Sequence, residues 1–268
     1  MGNWVKDVIG TGRAMIGLCH IPALPGDPLY DARGGMERVF EAVRADVLAL
    51  QEGGIDAIQF TNEFSMPYAS KVGAETVAAM AHLIGRVKAD LRVPFGANCI
   101  MDQLATIGLC AAVGARWTRG TYHGAWATNT GVVSADSAQV YRLRHNLGAD
   151  DLKLVHYINP ENSADIGGRD YVECFRPYYF LNRPDAIGVA GSVAGQRTDP
   201  ALISRCREAF PDAVLFVVTG LKKDNAEEMM QYADAAFVGT SIKKDGVFTN
   251  GVDAARVAEL METVKRFR

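Results

Sequence analysis

The sequence predicts an α/β fold of the (β/α)8 TIM-barrel type, a single domain over residues 1–268 of the kind that binds phosphate. Three observations predict it. Short apolar runs alternate with helical patterns from end to end at about thirty residues per unit, as a parallel sheet with helical crossovers requires. The length of 268 residues, with 49% hydrophobic side chains, suits one barrel of roughly 250 residues. Near the C-terminus, two consecutive strand candidates end in glycine turns, Thr219-Gly220 and Gly239-Thr240-Ser241. Barrels of this class commonly hold a phosphate there.

In chain order the expected strands are Ala14–Cys19, Ala57–Phe60, Phe95–Asn98, Arg116–Thr118, Leu152–His156, Ala186–Val189, Val214–Val218 and Ala236–Val238. Each is short, rich in Val, Ile, Leu or Phe, and bounded by Gly, Pro or polar residues. Helical periodicity fills the intervals. Gly35–Gln51 sets Val39, Val43, Val47 and Leu50 on one face, and Glu75–Lys88 does the same with Val77, Met80, Leu83, Ile84 and Val87. Ser137–His145, Tyr171–Leu181, Pro200–Phe210, Asp224–Tyr232 and Val252–Phe267 follow. Asp199-Pro200 reads as an N-cap with proline at the first helical position. A doubly wound open sheet would want a glycine-rich fingerprint after its first strand. That position reads His20-Ile21-Pro22-Ala23-Leu24-Pro25-Gly26.

The net charge of −3 argues against general affinity for nucleic acid or anionic membrane. Five cysteines form no CxxC pair, which fits reduced thiols and a cytoplasmic location. No run approaches the roughly 20 apolar residues of a spanning helix, and no secretory leader is expected. Walker A, GxSxG and HExxH patterns are absent, so an ATP-driven motor, a serine hydrolase elbow and a zincin are not expected. No cofactor is expected. A divalent metal would need scattered ligands such as Glu63, His20 and His156, which no motif supports. Self-association is compatible with a barrel, but no interface residue stands out.

In a barrel the chemistry sits at the C-terminal ends of the strands, so the strand list becomes a site list. It nominates His20, Glu63, Asn98, Arg119 and His156 as catalytic candidates. Either histidine could act as acid and base near neutrality, or could simply cap its strand through a backbone hydrogen bond. Glu63 could serve as a base, bind hydroxyls, or pair with Arg119. Gly191, Ser192, Gly220, Gly239, Thr240 and Ser241 are the phosphate-binding candidates, because glycine admits close approach of backbone N–H groups and hydroxyls add donors. The expected Asp224–Tyr232 helix aims its N-terminus at the same spot. The long segment Gly120–Asp136 suggests a lid, with Tyr122, His123 and Trp126 either stacking on a ligand or packing the loop onto the rim.

Several segments together resemble the BtpA/SgcQ family: IGLCHIPALPGDP, NEFSMPY, PFGANCIMD, RPDAIGVAG, VTGLKKDNAEE and VGTSIKKDGVFTNGVD. The match is better to the SgcQ branch, through Asn62 to Tyr68 and Lys243 to Phe248. The resemblance implies a phosphate-binding barrel and, by likeness to products of carbohydrate-uptake gene clusters, a small phosphorylated sugar as substrate. Thr61, Ser65 and Val155 depart from the BtpA side, which is linked to photosystem I biogenesis. The expectation is therefore an isomerase, epimerase or lyase acting on a phosphorylated sugar or related nucleoside metabolite. The alternative is a non-catalytic assembly factor built on a barrel scaffold.

Overall fold

The computed structural model describes residues 3–129, 131–193 and 195–268. Its strands are β1 (Ala14–His20), β2 (Ala57–Thr61), β3 (Phe95–Asn98), β4 (Trp117–Gly120), β5 (Ala125–Thr128), β6 (Gly131–Ser134), β7 (Lys153–Tyr157), β8 (Ser163–Asp165), β9 (Ala186–Val189), β10 (Leu215–Val217) and β11 (Ala235–Val238). The helices are α1 (Trp4–Ile9), α2 (Gly35–Glu52), α3 (Ala74–Val87), α4 (Gln103–Val113), α5 (Ser137–Asn146), α6 (Tyr171–Asn182), α7 (Pro200–Ala209), α8 (Ala226–Met229) and α9 (Ala254–Lys265).

Eight parallel strands run in the order β3-β2-β1-β11-β10-β9-β7-β4. The two ends of that order, β3 and β4, lie side by side, and Arg116 N–H donates to Phe95 C=O (2.9 Å) between them. The result is a nearly closed (β/α)8 barrel. Its strands are buried on both faces, as a sheet wrapped by helices demands. Alternation sorts their side chains. Ala14, Ile16, Leu18, Trp117, Val155, Phe216 and Phe237 fill the interior, whereas Met15, Ile58, Phe60, Leu154 and Val217 face the helices.

Helices α1 and α4 and strands β5, β6 and β8 lie outside the expected pattern. Helix α4 is apolar nearly all round, so it shows no amphipathic stripe, although Asp102 caps it through Ala105 N–H. Helix α1 closes the N-terminal end of the barrel: Trp4 stacks on Phe216 (5.6 Å between ring centroids), and its indole N–H donates to Asp185 C=O (2.9 Å). Strands β5, β6 and β8 form a small antiparallel sheet beyond β4 and β7. The helix expected over Asp224–Tyr232 shrinks to a 3-10 turn, Lys223–Asn225, and the four-residue α8. Asn225, not Asp224, shapes its start, accepting from Lys222 N–H and donating to Gly220 C=O.

Candidate active site

Strand parity decides which residues reach the mouth. On β2, Gln59 and Thr61 alternate with the outward Ile58 and Phe60, so the next inward position is Glu63. Its carboxylate accepts from Tyr68 O–H and Thr61 O–H (3.4 Å each), and Tyr68 O–H also donates to Glu63 C=O (2.9 Å). On β3, Asn98 is inward and its side-chain oxygen accepts from the Gln59 amide (2.8 Å). On β4, Arg119 crosses the interior to stand 4.6 Å over the Phe237 ring of β11, which is not a neighbour of β4 in the sheet. On β1, His20 is inward and 5% exposed, packed between Phe64 and Phe248, with both ring nitrogens buried and unpartnered among the described residues. His20, Glu63, Asn98 and Arg119 thus share one end of the barrel.

His156 does not. Its neighbour Val155 points inward, so His156 points outward into the helical layer. Its Nδ1 meets the Tyr178 hydroxyl of α6 (2.8 Å), and its ring packs on Tyr122 at 4.3 Å. The expectation of a mouth-facing His156 is corrected by this parity, and Tyr157 takes the inward place. Of the two readings open for the loop after β4, packing onto the rim holds and a ligand-stacking lid does not. Tyr122 and Trp126 are buried, Trp126 donates to His123 C=O (2.8 Å), and the His123 ring bonds to Tyr157 C=O (2.9 Å). These three residues fasten the small sheet onto the rim and present no stacking face.

Several residues of the mouth were not nominated from the sequence: Gln59, Tyr68, Tyr157, Glu161 and Lys243. Glu161 follows β7 and faces Arg119, Glu63 and Tyr157. Burial pushes its carboxyl up to about 7, against the pull of Arg119, and the charge on Glu63 adds to the rise. Burial also raises Glu63, opposed first by Arg119 and then by its hydrogen bonds to Tyr68 and Thr61. Burial holds His20 well below the ordinary histidine range, with Lys243 and Arg119 adding to the effect, so its imidazole is neutral near pH 7. Lys243 is 1% exposed and donates to Asn250 C=O (2.8 Å), and burial lowers its pKa. Two carboxyls poised to hold or release protons, beside one fixed cation, form an acid/base set. Among the described residues, no group of three or more His, Cys, Asp or Glu side chains is placed to hold a metal ion.

The glycine turns meet on the β9–β10–β11 side. Gly220 has φ +71, and a Cβ there would lie 2.3–2.4 Å from the backbone of Gln196 and Arg197. Its freedom lets the loop after β9 lie directly on the loop after β10. Gly191 packs equally tightly, 2.6 Å from Gln196 C=O to an added Cβ, and its N–H donates to the Thr219 hydroxyl (2.6 Å). That amide is therefore already engaged. Ser192 is exposed and bonds to the Gln196 side chain (2.8 Å). Ser241 O–H donates to Leu221 C=O (2.9 Å), tying the last two loops together. An added Cβ would sit 4.0 Å from the Thr240 hydroxyl at Gly195, and 3.3 Å from the His20 ring at Gly239. The glycine cluster is thereby continuous with the mouth through Gly239 and His20.

The model of the BtpA family matches residues 11–266. The chain belongs to the BtpA family. The sgc region protein SgcQ of Escherichia coli K12 is 44% identical over 266 residues, 99% of each chain. The photosystem I biogenesis protein BtpA of Synechocystis is 23% identical, covering 95% of this chain and 88% of that one. Among solved structures, phosphoribosyl anthranilate isomerase from Thermus thermophilus superposes with a TM-score of 0.58 at 11% identity, over 95% of this chain and all of the other. At that identity the likeness concerns the barrel fold.

Proposed function

We propose that this BtpA-family barrel is a cytoplasmic enzyme of carbohydrate metabolism that moves a proton on a phosphorylated sugar or related nucleoside metabolite, as an isomerase, epimerase or lyase. The observation that carries the reading is the meeting of Glu63, Glu161, Arg119 and Tyr157 at a mouth continuous with the glycine turns. Gly239, Thr240 and the turn at Gly220 would hold the phosphate through backbone N–H groups and the Thr240 hydroxyl. Glu63 would abstract a proton next to a carbonyl, and Glu161, whose pKa lies near 7, would return one. Arg119 supplies positive charge at the reacting end, where an enolate oxygen would develop. Asn98, held by Gln59, would orient a hydroxyl. Chemistry of this kind needs no cofactor.

The test is the thermal midpoint of the purified chain against sugar phosphates, the parent sugars, nucleosides and free phosphate. Binding to the native state alone raises the midpoint as ligand concentration exceeds the dissociation constant. Stabilisation by a sugar phosphate but not its parent sugar is expected. Gly239→Trp, which drives an indole toward His20, should abolish it. A flat response to every compound would move the non-catalytic scaffold reading into first place. One observation favours that reading, the adjacent exposed Phe180 and Leu181 on α6.

A further inference from the structure

Arg119 is the least compensated charge in the barrel interior. It is 9% exposed, its Nε is buried without an acceptor, and among the described residues its side chain makes no hydrogen bond and no ion pair within 4 Å. A guanidinium stays protonated at any ordinary pH, and an unpaired buried charge is costly. The groups that face it are Glu63, Glu161, Tyr157 and His20. Glu63 is already engaged by Tyr68 and Thr61. His20 is neutral and cannot compensate a cation. Phe237 lies beneath the guanidinium and supports its face, leaving the planar edge as the donor surface. The other buried cation of the mouth, Lys243, is bonded to Asn250 C=O.

Given a phosphorylated compound at the glycine turns, as proposed above, we propose that it carries a second anionic group, a carboxylate, seated on the edge of Arg119. The substrate class narrows to phosphorylated sugar acids. A carboxylate matches the two parallel N–H donors of a guanidinium, which a hydroxyl or a single carbonyl oxygen does not. Glu63 and Glu161 would oppose a third carboxylate if both were ionised. Glu161, whose pKa already lies near 7, can take up a proton as the ligand's carboxylate arrives, which relieves part of that opposition while Glu63 stays available as the base.

The experiment uses the full chain and two matched pairs of probes, 3-phosphoglycerate with glycerol 3-phosphate and 6-phosphogluconate with glucitol 6-phosphate. Affinities are measured by calorimetry at pH 7.5. For at least one pair the acid should bind about tenfold to a hundredfold tighter than the polyol, the range of one charge-assisted hydrogen-bonded contact. Arg119→Met should bring that ratio to about one, while Arg119→Lys should retain part of it, because a point charge remains without the fork. If polyol phosphates bind and the acids bind no better at either length, the carboxylate is overturned and the phosphate site stands. A wild-type preference that survives Arg119→Met would also overturn it, since another group then reads the carboxylate. If no phosphate ester binds, the phosphate reading fails and the carboxylate falls with it. The wild-type comparison decides the matter even if Arg119→Met does not fold.

Discussion

Of the two carboxyls beside Arg119, Glu161 is the less supported. Glu63 accepts two hydrogen bonds, whereas Glu161 has only the through-space pull of Arg119 against burial and the charge on Glu63. The consequence is a pH-dependent cost. Below about pH 4.5 the group is protonated in folded and unfolded chains alike. Between about 4.5 and 7 the folded state keeps a proton that the unfolded chain releases, so this group's contribution falls as pH rises. Above about 7 the cost is complete. Glu161→Gln should therefore gain stability over the wild type as pH rises through that window, by up to about 3 kcal/mol, and should match it near pH 4. Denaturant midpoints across pH 4–9 measure this. A constant offset with no pH dependence would mean that Glu161 is not buried beside Glu63. Glu63 was legible in the sequence because it stands only two residues past its strand. Glu161 was not, because it stands four residues past its strand and reaches the mouth only through the path of its loop.

At the scale of the element, β7 shows why strand ends alone misassign a site. Its residues are apolar on both faces at Leu154 and Val155, so nothing in the local pattern says whether His156 or Tyr157 is inward. Pairing with β4 and β9 decides it, and sends His156 to the Tyr178 hydroxyl. The same hydroxyl also donates to Tyr122 C=O (3.2 Å), so it anchors α6 to β7 and to the loop after β4. Tyr178→Phe should cost about 1–3 kcal/mol by leaving buried polar groups unpaired. It should leave ligand-induced shifts of the thermal midpoint as they are in the wild type. Loss of ligand response at retained stability would return His156 to the site.

At the scale of the molecule, the barrel has two differently finished ends. The N-terminal end is sealed by α1, with Trp4 against Phe216 and Trp117. The C-terminal end carries the unpartnered ring nitrogens of His20 and the unpartnered Nε of Arg119. This division of stability from function is a property of the fold class. Trp4→Ala should cost about 3–5 kcal/mol, the range for emptying an aromatic site in a packed core. Urea titration should show a lower midpoint at an unchanged slope, with the phosphate response retained. An unaltered midpoint would mean that α1 is an ornament and not a plug.

The sequence by itself determined the architecture. Eight apolar runs separated by helical periodicities admit a wrapped parallel sheet, and the strand limits at Phe95–Asn98 and Ala186–Val189 coincide with those observed. It also determined that His20, Asn98 and Arg119 lie at strand ends and Glu63 just beyond one. Tertiary structure alone decided which of the candidates face one another. A strand buried on both faces carries no polar alternation, so inward and outward are settled by pairing and closure. For the same reason His156 left the site and Tyr157 entered it. Residues such as Glu161 and Lys243 came to the mouth on loops whose course depends on contacts made far along the chain.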